Sequence, residues 1–144
     1  MEQRVSLITL GVDDVARSRA FYERLGWRGQ ELDETVFFKA GGVAIVLWGR
    51  DKAALDCGMD DERSGGFEGI TLAHNVRSPA EVDEVMAAAQ RAGGTLTRGP
   101  AVTFYGGYAG FFADPDGHAW EIAHNPGFPL AADGSITIPD FPAS

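Results

Sequence analysis

The chain repeats itself. Ile8-Thr9-Leu10-Gly11 returns as Ile70-Thr71-Leu72-Ala73, an offset of 62 residues, and each run leads into a helix start headed by Asp or Ser. Phe37-Phe38-Lys39-Ala40-Gly41-Gly42 finds its partner in Phe111-Phe112-Ala113-Asp114-Pro115-Asp116-Gly117. After each of those turns comes an apolar strand, residues 43–48 in one copy and 118–123 in the other. One four-residue match could arise by chance, but three matched blocks in one order make a duplicated unit, and a repeat governs the reading of everything else.

Local signals fit one βαβββ-type unit used twice. Asp13 or Asp14 can cap a helix running to about Leu25, with Val15, Ser18, Tyr22 and Leu25 on one stripe and Gly26 just past its end. The second helix starts at Ser78-Pro79-Ala80-Glu81, where Ser at the cap and Glu in the first turn can both satisfy orphan amides. Val82, Val85, Met86 and Ala89 give its apolar face, Met86 reading as core, and Gly93-Gly94 ends it. Residues 5–12 and 69–76 alternate as half-buried strands. The stretches 36–39, 43–48, 95–98, 108–113 and 118–123 are short and rich in aromatic and β-branched side chains, as strands are. Ala40-Gly41-Gly42 and Asp114-Pro115-Asp116-Gly117 carry hairpin-turn residues. The chain thus divides into a first module at 4–48, a linker at 49–66, a second module at 67–125 and a proline-containing tail at 126–144, all within one compact domain.

Composition narrows the function classes. A chain of 144 residues with 44% hydrophobic residues can bury a core without staples. Its net charge of −9, from 12 basic against 21 acidic residues, offers no cationic groove for phosphates. No nucleic acid or anionic membrane partner is expected, and the acidity reads first as solubility. Cys57 alone forms no internal disulfide and reads as a bystander. Nothing near the first residues resembles a signal peptide and no apolar run approaches membrane-spanning length, so the expectation is a cytoplasmic protein.

Asp13-Asp14-Val15 through Phe21-Tyr22-Glu23-Arg24-Leu25-Gly26, followed in the second copy by Asp114-Pro115-Asp116-Gly117-His118-Ala119-Trp120-Glu121, resembles the vicinal-oxygen-chelate superfamily of glyoxalases, bleomycin-resistance proteins and extradiol dioxygenases. The likeness covers residues 4 to about 125. It implies an α+β fold in which tandem βαβββ modules form an open, U-shaped mixed sheet with a pocket on the concave side. It also implies a homodimer. In the metal-dependent members, two ligands sit early in the first strand of each module and two in the last strand of each. Carried over to this sequence, those places fall on Leu7, Gly69, Val46 and Glu121. Leu, Gly and Val offer no donor, and one carboxylate is not a site when transition metals want at least three protein ligands. His74 and His124 fall on the opposite strand face by parity, and His118 is expected to be exposed beside its turn. No family metal and no other cofactor is therefore expected.

Glu121 is left as the candidate catalytic residue. Facing an apolar cavity, it would have its charged form disfavoured and could act as a general base or as an anchor for a cationic or hydroxylated ligand. The bland alternative is a glutamate paired with an arginine such as Arg98. Parity adds Leu7, Thr9, Val46, Trp48, Gly69 and Thr71 as ligand-binding neighbours, with Tyr105 and Tyr108 from the aromatic–glycine run at 104–111. Phe111, Phe112 and Trp120 read as core. Two functions stay open: a metal-free protein that binds a small aromatic or amphipathic molecule, or a glyoxalase-like lyase, isomerase or dioxygenase working through a displaced metal or through Glu121. No nucleophile elbow, phosphate loop or dinucleotide fingerprint competes.

Overall fold

The computed structural model describes residues 1–142; the last two positions of the predicted tail, 143 and 144, lie outside the described residues. The element order is β1 (Leu7–Val12), α1 (Val15–Arg24), β2 (Gly29–Leu32), β3 (Thr35–Ala40), β4 (Val43–Gly49), α2 (Arg50–Asp56), β5 (Thr71–Asn75), α3 (Pro79–Ala92), β6 (Thr95–Val102), β7 (Tyr108–Ala113) and β8 (Ala119–His124). The strands form two four-stranded sheets, ordered β1-β4-β3-β2 and β5-β8-β7-β6. In each sheet the first strand pairs parallel with the last, and the remaining ladders are antiparallel. The two modules thus share one topology, as the repeat requires. They are hydrogen-bonded as separate sheets, with β1 and β5 each at an edge.

The helix signals act as read. Asp14 caps α1 by accepting from the Arg17 amide at 3.0 Å, and Ser78 caps α3 by accepting from Glu81 at 3.2 Å. Glu81 reaches back to the Arg77 amide at 2.7 Å. Other boundaries move. β1 begins at Leu7, and β5 begins only at Thr71 because Gly69 has φ +89, a left-handed conformation that breaks an extended run. The linker is not featureless: α2 occupies its first half, with Ala53 and Ala54 half-buried. β2 carries no apolar alternation and is legible only by its pairing with β3.

One core serves both modules. Phe21 and Tyr22 of α1 lie against Phe38 of the first sheet and against Phe112 and Trp120 of the second, with ring centroids 5.7 to 6.2 Å apart. Trp27 stacks on Tyr22 at 5.3 Å and meets Trp120 edge-on at 5.7 Å. Phe112 and Trp120 are core as expected; Phe111 is not, because alternation along β7 turns it to the opposite face, where it pairs with Glu121.

A polar chain runs through this core. Trp120 Nε1 donates to the Tyr22 hydroxyl at 3.1 Å, which donates to Asp114 Oδ2 at 2.6 Å. Asp114 Oδ1 accepts the amides of Asp116 and His118, both at 2.9 Å, and so fixes the β7–β8 turn. Burial pushes the Asp114 carboxyl above the ordinary aspartate value, against the opposing pull of its hydrogen bonds. Burial, then the Asp114 charge, pushes the Tyr22 phenol well above its usual value of 10.0.

Two outcomes are expected. Tyr22→Phe removes both hydrogen bonds and leaves buried groups unsatisfied, so it costs about 1–3 kcal/mol, read as a lower urea midpoint at unchanged slope. The second concerns pH. The folded chain keeps the Tyr22 proton where the unfolded chain releases it, so this contribution is whole below about pH 10. Above that it falls by about 1.4 kcal/mol per pH unit. Denaturation at about pH 9 and about pH 11 should show this part of the slope in the parent protein and its loss in Tyr22→Phe.

Candidate functional site

The β7–β8 turn docks on the first module at the end of β1. Asp116 Oδ1 accepts the Asp13 amide and the Arg17 guanidinium, each at 2.9 Å, while its second oxygen is buried without a partner. The His118 ring Nε2 lies 2.9 Å from the Gly11 carbonyl. His118 is therefore half-buried and engaged, not exposed as its place beside the turn led us to expect.

Beside this seam lies a cleft of about 760 Å³. Its walls are Ile8 to Gly11 of β1, Trp48 at the end of β4, Ala53, Ala54, Asp56 and Cys57 in and just after α2, and the connection that follows. Ile70, Leu72, Thr97, Ala113 and Ala119 come from the second module, with the turn residues Asp116 to His118. The volume lies within the range of small-molecule sites, roughly 300–1,000 Å³. Arg50 opens α2 and lies across Gly11, where a Cβ would stand 3.1 to 3.3 Å from Arg50 Cγ, Cα and Cβ. Its guanidinium reaches Asp61 at 2.5 Å and Glu68 at 3.3 Å. Arg63 reaches Asp13 at 2.6 Å. The Arg50 hydrogen bond holds the Asp61 carboxyl below its ordinary value, and the Arg63 hydrogen bond does the same for Asp13. The cleft is acidic: of its lining carboxylates, Asp61 and Glu68 pair with Arg50 and Asp116 with Arg17, while Asp56, Asp60 and Glu62 join no ion pair among the described residues.

Thr9 and Trp48, of the residues expected from parity, line this cleft. Leu7 is exposed near the start of β1, and Val46, opposite Thr9, is buried. Gly69 and Thr71 are exposed at the approach to β5. Tyr105 sits against Phe104 in the β6–β7 turn, and Tyr108 donates its hydroxyl to Asp83 Oδ1 at 2.7 Å; neither lines the cleft. Glu121 is half-buried between Ala73 and Phe111, one strand period beyond the lining Ala119. It joins no ion pair with Arg98 among the described residues. The antiparallel ladders set Glu121 beside Phe111 and Val46 beside Phe37, the repeat mate of Phe111, so Val46 and Glu121 are mates along the hairpin. Against the first strand the two modules are offset by two residues, with Glu121 beside Ala73 but Trp48 beside Gly11, the repeat mate of Ala73.

The residues do not fit a family metal centre. Leu7, Val46 and Gly69 have no donor atoms to add to Glu121, and no three His, Cys, Asp or Glu side chains among the described residues are grouped to hold an ion. Burial pushes the His74 imidazole below its usual value, and His74 lies with Arg77 and Glu81 in a second cavity of about 520 Å³ under the tail. Sequence reasoning missed Arg50, Asp116 and His118. The last two stood inside the turn motif, but their docking partners lie about a hundred residues away.

Comparison with known proteins gives a consistent result. The profile described as Glyoxalase/Bleomycin resistance protein/Dioxygenase superfamily matches residues 4–122. A glyoxalase-related enzyme from Fulvimarina pelagi has 39% sequence identity, with 95% of this chain and 99% of that one covered at a TM-score of 0.87. The protein SA1046 from S. aureus has 24% identity and a TM-score of 0.76 over 86% and 94% of the two chains. A glyoxalase/bleomycin resistance protein/dioxygenase family enzyme from Burkholderia phytofirmans has 22% identity and a TM-score of 0.74 over 83% and 96%. These last two show likeness of fold alone. The search of curated proteins returned no match.

The close approach of Gly11 to Arg50 is open to test. Gly11→Val should overpack the end of β1, displace α2 and cost about 1–3 kcal/mol, measured by urea denaturation. The near-UV circular dichroism of the neighbouring Trp48 should change with it. Parent-like stability and spectrum would show that the cleft floor tolerates a side chain there.

Proposed function

The chain belongs to the Glyoxalase/Bleomycin resistance protein/Dioxygenase superfamily, and from that membership we propose that it binds a small, positively charged aromatic or amphipathic molecule in the cleft beside Trp48. The observation that carries this reading is the pairing of apolar walls with an acidic rim. Trp48, Ile8, Leu10, Ile70 and Leu72 offer an apolar and aromatic surface, while the lining carboxylates Asp56, Asp60 and Glu62 join no ion pair among the described residues. Such a site attracts a cation and favours its ring over water. The four carried-over metal positions lack a donor set, so the reading needs no resident ion.

A second reading is favoured by the likeness to the Fulvimarina pelagi protein, a glyoxalase-related enzyme. Under it, Glu121 serves as a general base on the open face of the second sheet, or a metal binds elsewhere on the chain. A homodimer belongs to either reading. β1 and β5 are open edges, and Val5 and Leu7 expose apolar surface beside β1. A cytoplasmic location also belongs to it, resting on the single exposed cysteine. No helix among the described residues is long and apolar enough to cross a membrane.

Thermal shift against a panel of planar compounds tests the main reading. Cationic members should raise the melting temperature in a concentration-dependent way, weakened by salt, while anionic analogues of the same rings should not. Trp48→Ala should weaken binding about tenfold, or about 1.4 kcal/mol. No shift from any cation would sink the proposal. Stoichiometric zinc, iron, manganese or nickel in protein purified without chelator or nickel resin would turn the choice to the enzyme.

A further inference from the structure

The connection from α2 to β5, residues 57–70, walls one side of the cleft without regular secondary structure. Every residue in it is exposed, and none of its side chains belongs to the core. Met59 and Phe67 line the cleft yet remain 71% exposed each, so their apolar surface has nothing to pack against. What ties the segment down is charge. The Arg50 guanidinium grips it at two points, Asp61 toward its start and Glu68 toward its end, and Arg63 ties its middle to Asp13. Its backbone hydrogen bonds are local, as from Glu62 to Asp60 and from Met59 back to Ala54.

These features set the energetics of opening. A segment with no buried apolar anchor opens at low cost, and ion pairs near the surface are weak and screened by salt. Arg50 is the firmest of the ties, since its side chain is only 19% exposed and its rigid fork can hold two carboxylates at once. Closure over an apolar ligand would give Met59 and Phe67 the surface they lack.

We propose that residues 57–70 form a lid over the cleft, latched by Arg50 across both of its stems, which opens to admit a ligand and closes with Met59 and Phe67 upon it. The proposal rests on the cleft being a binding site, but the latch is measurable with no ligand present. Cys57 is the sole cysteine, so Cys57→Ser frees the chain for labelling. Nitroxides at Ser64→Cys in the lid and Gln90→Cys on the rigid α3 then report the lid's distance by pulsed electron resonance.

At low salt the distance distribution should be narrow. High salt should add a second, longer population, and Arg50→Gln should show that population already at low salt, with a smaller further response to salt because the tie from Arg63 to Asp13 remains. Asp61→Asn/Glu68→Gln removes the same latch from the other side and should match Arg50→Gln, which keeps the test decisive should Arg50→Gln fold poorly. One unchanged narrow distribution in every variant and at both salt levels would overturn the lid. Failure of all cationic compounds to bind would strike the functional reading instead and leave these distances as they are.

Discussion

Everything near the cleft depends on one buried carboxylate. Asp114 accepts the Tyr22 hydroxyl through one oxygen and two amides of its own turn through the other. A carboxylate taken from water is costly unless its lone pairs are filled, and here three donors fill them. Two of the donors shape the β7–β8 turn and the third belongs to the other module. The same group therefore folds the hairpin locally and fastens it to α1 across the core. Trp120, which donates to Tyr22, extends this chain into the second sheet.

That fastening positions the cleft. With the turn held against the end of β1, Asp116 meets the start of α1 and His118 meets the Gly11 carbonyl, which brings the second sheet beside Trp48. Gly11 has no side chain, so Arg50 can cross it and carry its charge to the connection beyond α2. The result joins apolar walls from two modules to a rim of carboxylates. It is there that the proposed cationic ring would sit.

Much of this was legible in the sequence. The repeat implied two copies of one topology, and the copies of the β1–β4 ladder agree in type and direction. The Asp14 and Ser78 caps marked real helix starts. Thr9 and Trp48 followed from parity and line the cleft. β2 was not legible, since Gly-Gln-Glu-Leu carries no apolar alternation and becomes a strand only by joining β3. Nor was the reach of Arg50, His118 and Asp116, each of which is defined by a partner distant in the chain.

The amino-acid order by itself determined the duplicated unit, its helix ends and the lack of donors at three of the four carried-over metal positions. Those are local facts: a cap, a period of two, a side chain with or without a lone pair. Tertiary structure alone decided that His118 turns inward, that Phe111 leaves the core, and that Trp48 lines the cleft while Glu121 lies one strand period beyond its lining. The reason is the same in each case. Where two modules meet is set by the seam at Asp114, Tyr22 and Trp120, whose residues stand far apart in sequence, and no local pattern encodes the geometry of such a contact.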